Sequence, residues 1–121
     1  MRRFLSVFLV IAMLAVPPVR AENAKFVALT FDDGPHPKYT PEILDILKKY
    51  GAKATFFVLG EKLDYQSKNY SEQIVTQNRE LVARMAAEGH TVANHSYSHC
   101  WLSKSKPEKV AYELNKTSQL I

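Results

Sequence analysis

The sequence predicts an α/β fold of parallel strands joined by helical crossovers. Two patterns carry this prediction. Short runs rich in β-branched and aromatic residues occur at positions 26–31, 54–59 and 91–94. Each is followed by a longer stretch whose apolar residues recur at helical spacing. The two patterns alternate, strand then helix, three times. Such alternation implies parallel strands with right-handed connections, all pointing the same way.

The first strand, Phe26-Val27-Ala28-Leu29-Thr30-Phe31, is continuously apolar apart from Thr30, as expected of a strand buried on both faces. Asp32-Asp33-Gly34-Pro35 ends it. Thr40-Pro41-Glu42 is a helix start, with Thr as N-cap, Pro at the first helical position and an acid in the first turn. Ile43, Leu44, Ile46, Leu47 and Tyr50 form the apolar face, and Gly51 closes the helix. The second strand, 54–59, stops at Gly60. Residues 61–71 are polar and read as a loop. A helix is predicted over 72–88, with Ile74, Leu81, Val82 and Met85 inward. Thr91-Val92-Ala93-Asn94 is the third strand. Ser105 and Glu108 form a capping box for the last helix, whose inner positions are Val110, Leu114, Thr117 and Ile121. Three such units are half of a typical α/β domain, so 22–121 is expected to be the N-terminal portion of a larger one.

Residues 1–21 have the pattern of a secretory signal. Arg2 and Arg3 precede an apolar run over 4–16 broken only by Ser6, then Pro17 and Pro18, then Val19-Arg20-Ala21 as a cleavage site. A bilayer span takes about 20 apolar residues, so a stable membrane anchor is not expected. The product is expected to be secreted or periplasmic. The formal charge of +4 owes three arginines to this segment, and the remainder carries 13 basic against 12 acidic residues. Nucleic acid is therefore no expected partner. Cys100 is the single cysteine, which excludes an internal disulfide.

Asp32 and Asp33 follow the first strand, and His95 and His99 follow the third. In a parallel sheet both lie at the carboxyl edge, where α/β active sites collect. First and third strands stand roughly 10 Å apart, a gap that a carboxylate and two imidazoles can close on one ion. A helical turn over His95-Ser96-Tyr97-Ser98-His99 would set both rings on one face. Two His and one carboxylate leave open positions, as catalytic metal sites do. One aspartate can ligate while the other accepts a proton from attacking water. His36 and His90 read as structural, Cys100 as a small buried residue, Trp101 as core or rim packing, and Lys104, Lys106 and Lys109 as a solvated face.

The segments TFDDGP (30–35) and HSYSH (95–99) resemble the first two motifs of the NodB-type polysaccharide deacetylases, carbohydrate esterase family four. YGAKATFFV (50–58), and Glu88-Gly89-His90 leading to Asn94-His95, are similar too. The resemblance implies a distorted (β/α) barrel, of which this chain holds the first three strand–helix units. It implies metal-dependent hydrolysis of acetyl groups on chitin, peptidoglycan or acetylxylan. By motif, Asp32 would be the catalytic base, and Asp33, His95 and His99 would bind the divalent metal, usually zinc. Residues 64–78 look like an insertion relative to the family, beside the second helix. The family's three later motifs, including a Leu-x-His general acid, have no counterpart here. The chain by itself is thus expected to carry the metal half of a site and to be weak or inactive as a hydrolase. The alternatives are a non-catalytic secreted metal- or glycan-binding protein and, from the ligand set alone, a non-haem iron oxygenase. The second normally needs an all-β fold that nothing here suggests.

Overall fold

The computed structural model describes residues 25–121. The signal-like segment 1–21 lies outside the described residues. The elements run β1 (Leu29–Gly34), α1 (Tyr39–Lys49), β2 (Ala54–Val58), α2 (Glu72–Ala87), β3 (Thr91–Asn94) and α3 (Pro107–Ser118), with short 3-10 turns at Gly60–Leu63 and Leu102–Lys104. The strands form one parallel sheet in the order β1-β2-β3. Consecutive parallel units in that order are the opening arrangement of a (β/α) barrel.

The core lies on one face of the central strand. Ala54, Phe56 and Val58 point into it, meeting Leu44 and Leu47 of α1, Met85 of α2, and Leu63. Phe31, Ile43, Leu81, Val82 and Val92 pack around them. Full burial of such a side chain contributes about 1.5–3 kcal/mol, so this cluster fixes the helices on the sheet.

The first strand departs from expectation. It begins three residues later than its apolar run, and Phe26 and Val27 are 91% and 84% exposed before it. It is not buried on both faces. Among the described residues β1 has one strand neighbour, and only Phe31 reaches the core, stacking on Phe56 with ring centroids 5.1 Å apart. Asp32 and Asp33 consequently lie within the strand and not after it.

Other local expectations also shift. Helix α1 starts at Tyr39, and Thr40 does not cap it. The Thr40 hydroxyl instead accepts the His36 N–H at 2.9 Å, fastening the preceding turn. Leu44 and Leu47 are buried, but Ile46 and Tyr50 face outward, because α1 rests on the sheet along a narrow stripe. Gly51 ends the helix at φ +62°, a conformation that favours glycine. In α2 the Ser71 hydroxyl accepts the Ile74 N–H as N-cap. Val75 and Asn78 are buried there as well, and Asn78 donates to the Lys62 carbonyl. Of residues 64–78, Glu72 to Asn78 form the first two turns of α2, and Asp64 in the segment before it is buried.

The Ser105 capping box does not form. Its hydroxyl donates to the Trp101 carbonyl, and α3 starts at Pro107. The buried positions of α3 are Glu113 and Thr117, whereas Leu114 and Ile121 are exposed.

Candidate metal centre

The site is built at the carboxyl edge of the sheet, from β1 on one side and the segment after β3 on the other. The register of β1 against β2 explains the first half. Phe31 pairs with Phe56 and Gly34 with Val58, so three steps on β1 match two on β2. The extra residue is a β-bulge at the two aspartates. Asp33 takes φ +62°, a left-handed conformation unusual for a non-glycine residue. The bulge breaks the in–out alternation of the strand and re-aims the Asp33 side chain. The Lys62 ammonium holds the twist in place, donating to the Asp33 carbonyl at 2.7 Å and to the Pro35 carbonyl at 3.4 Å. Burial lowers the Lys62 pKa, against the opposing pull of Asp33 and Glu61.

The second half is a shaped loop and not a helical turn. His95 continues the sheet, its N–H donating to the Val58 carbonyl at 3.0 Å. The Asn94 side chain accepts the Ser96 N–H at 2.8 Å and donates to the Leu114 carbonyl and the Ser118 hydroxyl. Ser96 and His99 both adopt left-handed backbone, at φ +66° and +58°. The Tyr97 and Ser98 N–H groups both go to the Glu113 carboxylate, at 2.8 and 2.7 Å. Left-handed residues at Ser96 and His99 cannot belong to a right-handed turn, so the loop brings the imidazoles together by another route.

The outcome is a compact cluster. Asp33 Oδ1 lies 3.3 Å from His95 Nε2 and 3.2 Å from His99 Nε2. One ligand atom from each of the three residues falls within 4.8 Å of the others. Ligand atoms about 2.05 Å from a tetrahedrally bound ion stand about 3.3 Å apart, so the spacing fits a single divalent ion. One carboxylate oxygen and two imidazole nitrogens form a borderline donor set of the kind zinc takes. Asp33 and His99 are over half exposed, which leaves the cluster open to solvent. Asp32 is exposed beside Asp33 in the bulge.

The remaining candidates fall elsewhere. His36 is exposed, and its Nδ1 accepts the Lys38 N–H. His90 is buried against Phe56, its Nδ1 3.3 Å from the Ala54 N–H, and burial lowers its pKa. Cys100 is half-buried near the Ser105 hydroxyl. Trp101 is not packed in the core; it is 67% exposed, with the Lys104 ammonium 3.5 Å from its ring centroid. Lys109 is exposed as expected, but its ammonium also meets the buried Glu113 carboxylate at 2.6 Å. Sequence reasoning missed Lys62, Asp64 and Glu113. A lysine or glutamate in a polar stretch gives no sign of its partner, although a glutamate on the inner face of α3 was a detectable anomaly.

The family model for polysaccharide deacetylase matches residues 20–121. The chain is 49% identical over 94 residues to a chitooligosaccharide deacetylase of Rhizobium leguminosarum bv. phaseoli, covering 77% of this chain and 36% of that protein. It is similar to the solved peptidoglycan deacetylase PdaC of Bacillus subtilis, with a TM-score of 0.66 and 42% identity over 81% of this chain and 43% of that one. It is also similar to a family 4 acetyl xylan esterase of Clostridium thermocellum solved with a cobalt ion. The TM-score there is 0.67, with 33% identity over 79% of this chain and 42% of that one. The chain thus spans about two fifths of the length of each of these three proteins. With fold, motifs and family model in agreement, it belongs to the polysaccharide deacetylase family.

Proposed function

We propose that this chain provides the metal-binding part of a hydrolase that removes acetyl groups from polysaccharide. The observation that carries the reading is the Asp33–His95–His99 cluster, at the spacing one ion requires, in a member of this family. In this reading Asp33, His95 and His99 hold a divalent ion, zinc. Such an ion supplies Lewis acidity, lowering the pKa of water towards ~7 and polarising an acetyl carbonyl. Asp32, next to the ligand in the bulge, accepts the proton of the attacking water. The acetyl carbon gains the water oxygen, its bond to the sugar nitrogen or oxygen breaks, that sugar atom takes up a proton equivalent to the one Asp32 accepted, and acetate leaves. The bulge serves both roles, since it places two carboxylates at one strand tip and re-aims one of them.

The substrate class is acetylated polysaccharide. The relatives are named for chitooligosaccharide, peptidoglycan and acetyl xylan, which share acetylated sugars. Residues 1–21 are proposed to direct the chain to the periplasm or outside, with 22–121 as the deacetylase portion. No helix among the described residues is long and apolar enough to cross a membrane.

The test combines metal content with acetate release from chitin oligomers, peptidoglycan and acetylxylan. Asp32→Ala should keep zinc and lose the acetate release of the chain, or of a version completed with the remaining part of PdaC. Asp33→Ala should lose zinc, with affinity down at least about a hundredfold. Unchanged zinc content in Asp33→Ala would refute the ligand set. Zinc binding with no acetate released from any polymer, by this chain or by a version completed with the remaining part of PdaC, would favour a non-catalytic metal-binding protein.

A further inference from the structure

Glu113 is a carboxylate in the wrong place for a structural helix. It lies at the centre of α3 with 0% of its surface exposed. Burying a charge is costly unless it is paired and hydrogen-bonded, and Glu113 satisfies both conditions. One oxygen, Oε2, accepts the successive N–H groups of Tyr97 and Ser98 at 2.8 and 2.7 Å. The other, Oε1, accepts the Ser98 hydroxyl at 2.7 Å and meets the Lys109 ammonium at 2.6 Å.

Three of its four partners come from Tyr97 and Ser98, two of the three residues between His95 and His99. That span contains the left-handed Ser96 and ends on the left-handed His99. Each such residue costs on the order of 1–3 kcal/mol and persists only where the surroundings over-determine it. Charge-assisted bonds to the carboxylate are strong enough to do this. The Tyr97 ring is clamped from the same side. Its hydroxyl donates to the buried Asp64 carboxylate at 3.0 Å, which Lys116 of α3 also meets at 3.1 Å.

We propose that Glu113 is a positioning residue for the metal centre: its buried carboxylate holds the Tyr97–Ser98 backbone so that His95 and His99 face Asp33. The proposal rests on the metal-centre reading above. Burial works to raise the Glu113 pKa, but Lys109, Ser98 and Tyr97 outweigh it and bring it down to about 2, so the group is ionised at neutral pH.

The experiment has two arms on the full chain. Cobalt titration, followed through the optical spectrum of the bound ion, reads the affinity and geometry of the ligand cluster. Amide hydrogen exchange at Tyr97 and Ser98 reads the loop directly. Glu113→Gln is near-isosteric but cannot accept from all four donors. It should weaken cobalt binding tenfold or more, alter the spectrum, and strip protection from both amides. Ser98→Ala removes one loop contact only and should give a smaller loss in the same direction. It decides the matter if Glu113→Gln does not fold. Met85→Ala, a core change remote from the loop, should lower stability while leaving cobalt affinity of the folded protein unchanged. Wild-type affinity, spectrum and amide protection in Glu113→Gln, or in Ser98→Ala if that variant decides, would overturn the proposal. If Asp33→Ala binds cobalt as the wild type does, the metal reading itself falls. Amide protection then decides whether Glu113 shapes the loop.

Discussion

The two sides of the candidate centre are held in place very differently. The Asp33 side is an exposed strand tip, with one bulge and one lysine fixing its carbonyl. The histidine side is a loop tied down by Asn94, Glu113 and, through Tyr97, by Asp64. The difference has a physical cause. A strand already has its backbone donors in a ladder, so a single inserted residue suffices to redirect one carboxylate. A loop carrying two imidazoles has backbone groups with no ladder to join, and these need side-chain partners if they are buried. Accuracy on the loop side is therefore supplied by buried polar groups, and on the β1 side by sheet register.

The largest effect on the loop side should come from Gly60→Ala. A Cβ there would collide with the Thr117 hydroxyl, and would stand 2.9 Å from the Tyr97 ring and 3.1 Å from the Thr117 Cα. Backbone and ring cannot both yield, so α3 must move away from the loop. Overpacking of this kind costs about 1–3 kcal/mol, measurable by urea unfolding. Cobalt affinity should fall together with stability. A stable Gly60→Ala protein with unchanged cobalt affinity would show that α3 and the loop are not mechanically linked.

Acid should also act on the loop side first. The Glu113 pKa is drawn from its ordinary value of 4.5 down to about 2, against the burial that would raise it, by Lys109 and the loop donors. A carboxylate depressed in this way contributes stability that is fully present above pH 4.5 and is lost as the pH falls towards 2. Asp64 shifts the same way: burial would raise its pKa, but hydrogen bonds from the Gln66 N–H, Lys116 and Tyr97 outweigh that effect. Unfolding free energy measured from pH 7 to 2.5 should therefore fall most steeply below pH 4.5. Glu113→Gln should be less stable at neutral pH, and its deficit against the wild type should shrink over that interval. A constant deficit would contradict the ionised, load-carrying carboxylate.

The smallest effect is expected on the β1 side. Lys62→Met keeps most of the stem and removes the bond to the Asp33 carbonyl. The cost should be about 0.5–1.5 kcal/mol, with a modest loss of cobalt affinity. A loss as large as that of Glu113→Gln would erase the contrast between the two sides.

The same contrast governs how much could be read in advance. The order of strands and helices was legible because it rests on hydrophobic period and on Gly and Pro punctuation. The third strand runs over Thr91–Asn94 as expected. The clustering of Asp33, His95 and His99 was legible because parallel topology brings strand tips to one edge. The bulge was not, since the continuous apolar run over 26–31 favoured a strand that ends before the two aspartates. The helical reading of HSYSH failed because spacing alone reveals neither the left-handed backbone at Ser96 and His99 nor the carboxylate on a distant helix that fastens the loop. Ser105 and Thr40 failed as caps for a related reason: each hydroxyl found a nearer backbone partner in its own turn. Buried polar residues escape pattern analysis in general, because their role is set by partners far away in sequence.

The central claim is that Asp33, His95 and His99 share one divalent ion. Zinc-edge X-ray absorption on the chain loaded with one equivalent of zinc tests it most directly. The account predicts a shell of nitrogen and oxygen at about 2.0–2.1 Å containing two imidazoles, reduced to one in His99→Ala. A sulfur neighbour at about 2.3 Å, which Cys100 would supply, or failure to retain zinc at all, would contradict it.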